Sequence, residues 1–397
     1  MKIYADNAAT TRPSERVIAE MNRVMREAWG NPSSLHAEGQ RAKDKLEEAR
    51  EEAAVLLGCH PREITFTSGG SESDNQAILS AAMVGEKQGK RHIVSTKFEH
   101  HAVLHILEKL EKHGFSVTLV DVGENGIVSP ETIRDALRED TCLVTVMSAN
   151  NEIGTIQPVR EIGALCREHG ILFHTDAVQA FGHIPVNIGT DNIDLLSISA
   201  HKFHGPRGAG LLYAKRGIGL SSLIEGGAQE RGKRAGTEDV AAIVGMVCAM
   251  KEAAESLKEN ARTLIPKRDR LIRGLSEIPH SSLNGDPVNR LPSNVNFCFE
   301  GVEGEPLLLL LDERGIEASS GSACTSGSLE PSHVLTAIGR PPEIALSSLR
   351  LSLGEDVTDA EIDCIIQNVR EVVEYLRSLS PEWKEKREGR RAFYFPN

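Results

Sequence analysis

Short apolar runs alternate with stretches of helical spacing from about residue 60 to residue 215. The runs EITFT, HIVST, SVTLV, CLVTVMS, ILFHT, DLLSIS and GLLYA each have the length of a buried strand. The stretches between them carry the spacing of an amphipathic helix, as at Ile162, Leu165, Cys166 and His169. This alternation predicts an α/β fold with a mainly parallel central sheet and helices on both faces. Such sheets bind ligands beyond the carboxyl ends of their strands. The residues just after each apolar run are therefore the candidates for function.

The pattern changes in the C-terminal third. A long helical stretch from Val240 to about Ile278, with a break expected at Pro266, leads to the strand NVNFCFE and a helix around Leu307 to Asp312. The strand SSLRLSL and a helix near Asp359 to Leu379 follow. We expect a large domain over 15–260 and a smaller α+β domain made of 1–14 and 261–397.

Composition narrows the function classes. The 397 residues include 45 basic and 57 acidic side chains, for a net charge of −12, which disfavours nucleic acid as the main partner. Aromatic residues are only 4% of the chain, too few for a base-stacking platform. Apolar stretches such as Leu307 to Leu311 are far too short to span a bilayer. The opening MKIYADNAATT lacks the basic-then-apolar order of a signal peptide, so a cytoplasmic protein is expected. The 7 cysteines are scattered and never spaced C-x-x-C, which supports neither a zinc ribbon nor a disulfide framework.

Candidate chemistry clusters after the strands. SGGSESDN follows EITFT, and its small residues open a helix whose amides can cradle an anion through Gly70 and Ser71; an ordinary N-cap is the alternative. Asp176 follows ILFHT, with Gln179 beyond it. A buried acid there needs a partner, and a protonated pyridine nitrogen such as that of pyridoxal phosphate supplies one. Lys202, in SAHKFHGPRG after DLLSIS, sits where burial suits an amine to Schiff-base chemistry, with Ser199 and His201 as further phosphate contacts. His100, after HIVST, is a ring to stack on a flat cofactor or a proton carrier with a pKa near neutrality. His101 and His105 have i,i+4 spacing, but without the Glu of H-E-x-x-H they read as helix-surface residues, and no intrinsic metal site is expected. Asn150 or Asn151 of SANNEIG reaches the same rim. Cys324, in the Gly/Ser-rich SSGSACTSGSLEPSHVL, has the setting of a reactive thiol. Arg350 in SSLRLSL suits either a substrate carboxylate or an internal salt bridge.

Taken together, YADNAATT, GNPSS, TFTSGGSESDN, EHHAVL, SANNEIG, HTDAVQ, SAHKFHGPRG, ERGKRAGT, SSGSACTSGSLEPSHVL and SLRLSLG closely resemble the pyridoxal-phosphate cysteine desulfurases. That family is the NifS/IscS-like type of the class V aminotransferases. The resemblance implies a fold-type-I homodimer that converts L-cysteine to L-alanine and passes the sulfur, as a persulfide on Cys324, to an iron–sulfur scaffold or another acceptor protein. Cys324 then becomes a candidate transient ligand of a nascent cluster. The resemblance assigns Lys202 as the cofactor-bearing lysine, His100 to the ring face and Asp176 to the pyridine nitrogen. Gln179 and Asn151 approach the phenolic oxygen; Gly70, Ser71, Ser199 and His201 hold the phosphate, with Thr237 from the other subunit. Asn31 and Arg350, with Asn151 beside them, bind the substrate. A selenocysteine lyase or a cysteine sulfinate desulfinase of the same fold is the competing reading. Ala228-Gln229 replaces a Gly-His common among relatives, and the tail GRRAFYFPN matches nothing in the pattern.

Overall fold

The computed structural model describes residues 2–321 and 330–395. Cys324 lies outside the described residues.

The chain opens with strand β1 (Ile3–Tyr4) and helices α1 (Glu15–Glu27) and α2 (Ala37–Leu57). Alternation then begins: β2 (Ile64–Thr67), α3 (Gly70–Glu86), β3 (His92–Thr96), α4 (His101–Glu111), β4 (Ser116–Val120), α5 (Pro130–Ala136), β5 (Thr141–Thr145), α6 (Val159–His169), β6 (Leu172–Asp176), β7 (Leu195–Ser199) and β8 (Gly210–Ala214). These are the runs predicted from the apolar pattern. They form one sheet in the order β2-β8-β7-β6-β5-β3-β4, in which β8 runs antiparallel to both neighbours and the other pairs are parallel.

Both faces of the sheet are buried, and for that reason the strands read as continuous apolar runs. Ile93, Leu143, Leu195 and Leu212 pack under α3 and α4 with Ile78, Ala81, Leu107 and Leu110. Their sequence neighbours Val94, Val144, Leu196 and Leu211 point the other way, into a core shared with Leu46, Leu165 and Met246. One residue along a strand reverses the face, so a single apolar run feeds two cores.

The remaining elements are α7 (Val240–Ser276), β9 (Ser281–Leu283), β10 (Asn294–Phe299), α8 (Gly304–Glu313), β11 (Ile316–Glu317), α9 (His333–Ala337), α10 (Pro342–Ala345), β12 (Ser348–Ser352), α11 (Asp359–Leu379) and α12 (Pro381–Arg387). A sheet β12-β10-β9 and the pair β1-β11 surround a separate core of Phe297, Leu307, Leu351, Ile365 and Val369. The expected break at Pro266 is corrected: α7 is continuous through it. Pro266 faces solvent while Leu264, Leu271 and Leu275 are buried together, so water can satisfy the carbonyl that loses its amide partner. Met246 near the start of α7 belongs to the first core and Leu271 to the second, so this helix joins them.

The tail also has a definite place. The Glu300 carboxylate accepts from the amides of Tyr394 and Phe395 and pairs with Lys386 at 2.5 Å. Phe395 is buried against Val334, Leu335 and Ile338.

Candidate active site

The carboxyl ends of β2, β3, β5, β6 and β7 meet at a cavity of about 350 Å³. Its lining includes Gly70, Ser71, His100, Asn151, Asp176, Gln179, Ser199, His201, Lys202 and Arg350. Side chains spread over 280 positions of sequence thus share one space because parallel strands deliver their C-termini to one rim. Asn31 and Thr237 are not among the residues lining it. The side-chain oxygen of Asn31 caps the Ser33 amide at 2.9 Å, and Thr237 is exposed.

Lys202 follows β7 in a single 3-10 turn, Ala200–Lys202, rather than at the strand end itself. The turn closes through hydrogen bonds from Phe203 N and Gly205 N to the Ala200 carbonyl. A Cβ on Gly205 would lie 2.8 Å from that carbonyl oxygen, so only glycine lets the chain fold back here. The ammonium group donates to the carbonyls of Ala8 at 2.7 Å and Ala9 at 2.9 Å. The amide of Gln179 donates to the same Ala8 carbonyl at 2.9 Å.

Asp176 is 6% exposed, and its carboxylate accepts from Val178 N at 2.8 Å. Burial pushes its pKa up to about 6, against the opposing pull of that hydrogen bond and of Lys202. Asp74, one turn into α3, is 1% exposed and also lines the cavity. Burial and the charge of Asp176 raise its pKa well above the carboxylate range. Its Oδ1 has no hydrogen-bond partner among the described residues.

α3 begins at Gly70 with no side-chain cap, which leaves its first amides available. A Cβ on Gly70 would come within 2.6 Å of Val178 Cγ2, so the glycine lets the helix start nestle against the loop after Asp176. Close by, His201 Nδ1 lies 3.1 Å from the Thr10 hydroxyl, and burial with the charge of Lys202 pushes its pKa down to about 4.

His100 is the N-cap of α4, and its Nδ1 accepts the Ala102 amide at 3.1 Å. Nδ1 being the acceptor, the proton of the neutral ring sits on Nε2. The expected pKa near neutrality is corrected to about 4, because burial and the charge of Lys202 both penalise the imidazolium. His101, expected on the helix surface, lines the cavity instead, with its ring centroid 4.6 Å from that of His333. Asn150 is fully buried; its Oδ1 caps the amides of Glu152 and Ile153, a turn-forming role that leaves Asn151 to line the cavity.

Arg350 takes up the salt-bridge alternative without leaving the cavity. It pairs with Asp6 at 2.8 Å and donates to the Asn151 carbonyl at 3.1 Å. Its buried Nε has no hydrogen-bond partner among the described residues. Gln229, at the Ala-Gln departure, accepts from Gly236 N at 3.1 Å and so ties its turn to the RAGT segment.

Reading the sequence alone missed Asp74, Glu152, His333 and the carbonyls of Ala8 and Ala9, all of which belong to residues lining this cavity. The usable signals were an acid four residues into an apolar helix start and an acid directly after Asn151.

The "Aminotransferase class-V" profile matches residues 3–365. A protein of Methanosarcina thermophila called "Cysteine desulfurase IscS" is 52% identical over 379 residues, covering 96% of this chain and 94% of that one. The chain belongs to this family, in its cysteine desulfurase branch. A second "Cysteine desulfurase IscS", from Clostridium botulinum strain Kyoto, is 51% identical to this class-V chain over 97% of both. The solved structure of a "NIFS-LIKE PROTEIN" superposes with a TM-score of 0.88 at 39% identity, covering 94% of this chain and all of that one. The fold is therefore that of the NifS-like class-V proteins.

The residues present fit pyridoxal phosphate. A buried carboxyl, Asp176, lies in the same cavity as an amine, Lys202, and an uncapped helix start carries a glycine where a Cβ would clash. This donor set offers a pyridinium partner, a carbonyl-reactive amine and a phosphate cradle.

Proposed function

We propose that this protein is a pyridoxal-phosphate-dependent cysteine desulfurase that takes sulfur from L-cysteine, leaves L-alanine and carries the sulfur on Cys324. The observation that carries this reading is the convergence of Lys202, Asp176 and the open start of α3 on a cavity that Gly321 also lines. Cys324 follows Gly321 by three residues, a tether of at most about 11 Å.

When bound, pyridoxal phosphate supplies an electron sink that weakens the Cα–H bond of an amino acid. Lys202 holds the cofactor by its aldehyde and moves the Cα proton, and the Ala8 and Ala9 carbonyls orient its Nζ. Asp176 would pair with the ring nitrogen; Gly70, Ser71, Ser199 and His201 would hold the phosphate, with Thr237 from a second copy of the chain. Gln179 and Asn151 would serve the phenolic oxygen, and neutral His100 would support the ring, its Nε2 proton being available to the substrate. Arg350 binds the substrate carboxylate; Asn31 is assigned there with it, from outside the cavity lining of a single chain. In the transfer step the Cys324 thiolate attacks the substrate sulfur, the C–S bond breaks, an Sγ–S bond forms, and the alanine carbon takes up a proton. The persulfide then passes to an iron–sulfur scaffold or another acceptor protein. We assign the cofactor-holding residues from Gly70 to Thr237 to a large unit, 15–260, and Arg350 with the thiol segment to a small one, 1–14 with 261–397, in a cytoplasmic homodimer.

The test is direct. Protein reconstituted with pyridoxal phosphate and given L-cysteine with a reductant should release equal amounts of alanine and sulfide. Turnover of selenocysteine alone would favour the selenocysteine lyase reading, and release of neither product would end the proposal.

A further inference from the structure

Glu152 directly follows Asn151, yet neither the fold nor the cofactor site explains its side chain. It is 4% exposed and lines the cavity. Its backbone is held from two sides. Asn150 caps its amide at 2.8 Å, and Asn296 of β10 donates to its carbonyl at 3.0 Å. The backbone at Glu152 is thereby fixed.

The side chain points at both ends of the segment that carries Cys324. On the far side, Ser332 Oγ lies 2.5 Å from Glu152 Oε2. That hydroxyl also caps α9 by accepting from Leu335 N at 3.2 Å, which leaves its proton for Glu152. On the near side, a Cβ on Gly321 would stand 2.6 Å from Glu152 Oε2, so the backbone entering the segment lies directly against the carboxylate. The Gly321 amide donates to Ser348 Oγ at 3.3 Å, which holds it there. Residues 321 and 332 thus close on one side chain, itself within the electrostatic reach of Arg350.

We propose that Glu152 is a positioning residue that fastens both ends of the Cys324-bearing segment to the wall of the active site. This role rests on the functional reading above. Holding residues 321 and 332 against the cavity wall fixes where the chain leaves that wall and rejoins it, and small misplacements of reacting groups are costly. A buried carboxyl suits the task because its oxygen accepts the Ser332 hydroxyl where no water competes for either partner.

The experiment uses holoenzyme mixed with L-cysteine in stoichiometric amount. Persulfide on Cys324 is trapped and followed by mass spectrometry of its peptide, and cysteine binding is read separately from the cofactor absorbance. Glu152→Ala and Ser332→Ala should each slow persulfide formation about tenfold or more while changing cysteine binding by less than about threefold. The double variant should be no slower than the worse single variant. Glu152→Gln, whose amide oxygen still accepts the Ser332 hydroxyl, should recover most of the rate. If Glu152→Ala does not fold, Ser332→Ala and Gly321→Ala approach the same contact from its two partners and should show the same split. Wild-type persulfide rates in the alanine variants would overturn the role, as would an equal loss of cysteine binding. No persulfide on Cys324 in the wild type would overturn the functional reading, and this role with it.

Discussion

The Nζ of Lys202 donates to the carbonyl oxygen of Ala8 at 2.7 Å, across 194 residues of sequence. The N-terminal strand region therefore builds part of the active site, and the lysine arrives there already oriented. Ala8 also accepts from Gln179, so one carbonyl aligns two side chains that face the cavity.

Replacing that amine should separate binding from chemistry. Lys202→Ala should leave less than about one-thousandth of the wild-type alanine formation, since both the covalent hold and the proton carrier are lost. Borohydride reduction of wild-type holoenzyme should fix the cofactor to the peptide containing Lys202, and to no peptide of the variant.

Cys324 should act after substrate binding. Cys324→Ala should keep the cofactor absorbance and its response to L-cysteine but form no protein persulfide. A variant that releases sulfide at the wild-type rate would show that the relay does not pass through this thiol.

Glu99 gives a test of pH dependence. Its buried carboxyl accepts from the Thr96 hydroxyl and the Met147 amide, and burial pushes its pKa from 4.5 up to about 8. The folded chain therefore keeps a proton that the unfolded chain releases. The stability this confers is complete below the unfolded pKa and is lost as pH rises through the folded one. Relative to Glu99→Gln, the wild type should lose stability steadily between about pH 5 and pH 8 in urea titrations. A difference that stays flat across that window would contradict the assignment.

The pair Arg50–Glu230 is buried on both sides, with contacts of 2.6 and 2.9 Å. Glu230 adopts a φ of 45° and also accepts from Phe66 N, so the pair anchors a strained turn leading to Thr237. Glu230→Ala would leave the buried Arg50 guanidinium with only Glu47 and the Ile64 carbonyl as partners and should cost about 3 kcal/mol, measured by denaturant unfolding.

Much of this was legible in the chain itself. The strands of the large sheet are apolar runs long enough to be buried on both faces, and connections of helical spacing leave parallel pairing as the natural solution. That alone directs attention to the residues after each run, where Gly70, His100, Asp176 and Lys202 stand. The continuity of α7 through Pro266 was not legible, because it depends on which side of the helix the two cores leave to solvent. Nor was the neutral state of His100, whose pKa follows from burial and from Lys202, about a hundred residues away. Asp74, Glu152 and His333 look like ordinary polar positions until the fold encloses them, since a carboxyl or imidazole acquires an unusual proton affinity only where water is excluded. Local order and the identity of the candidate groups were thus determined by the sequence. Their protonation, their partners and the pinning of residues 321 and 332 to one carboxylate were decided only by the tertiary structure, because those properties depend on distances between residues far apart in the chain.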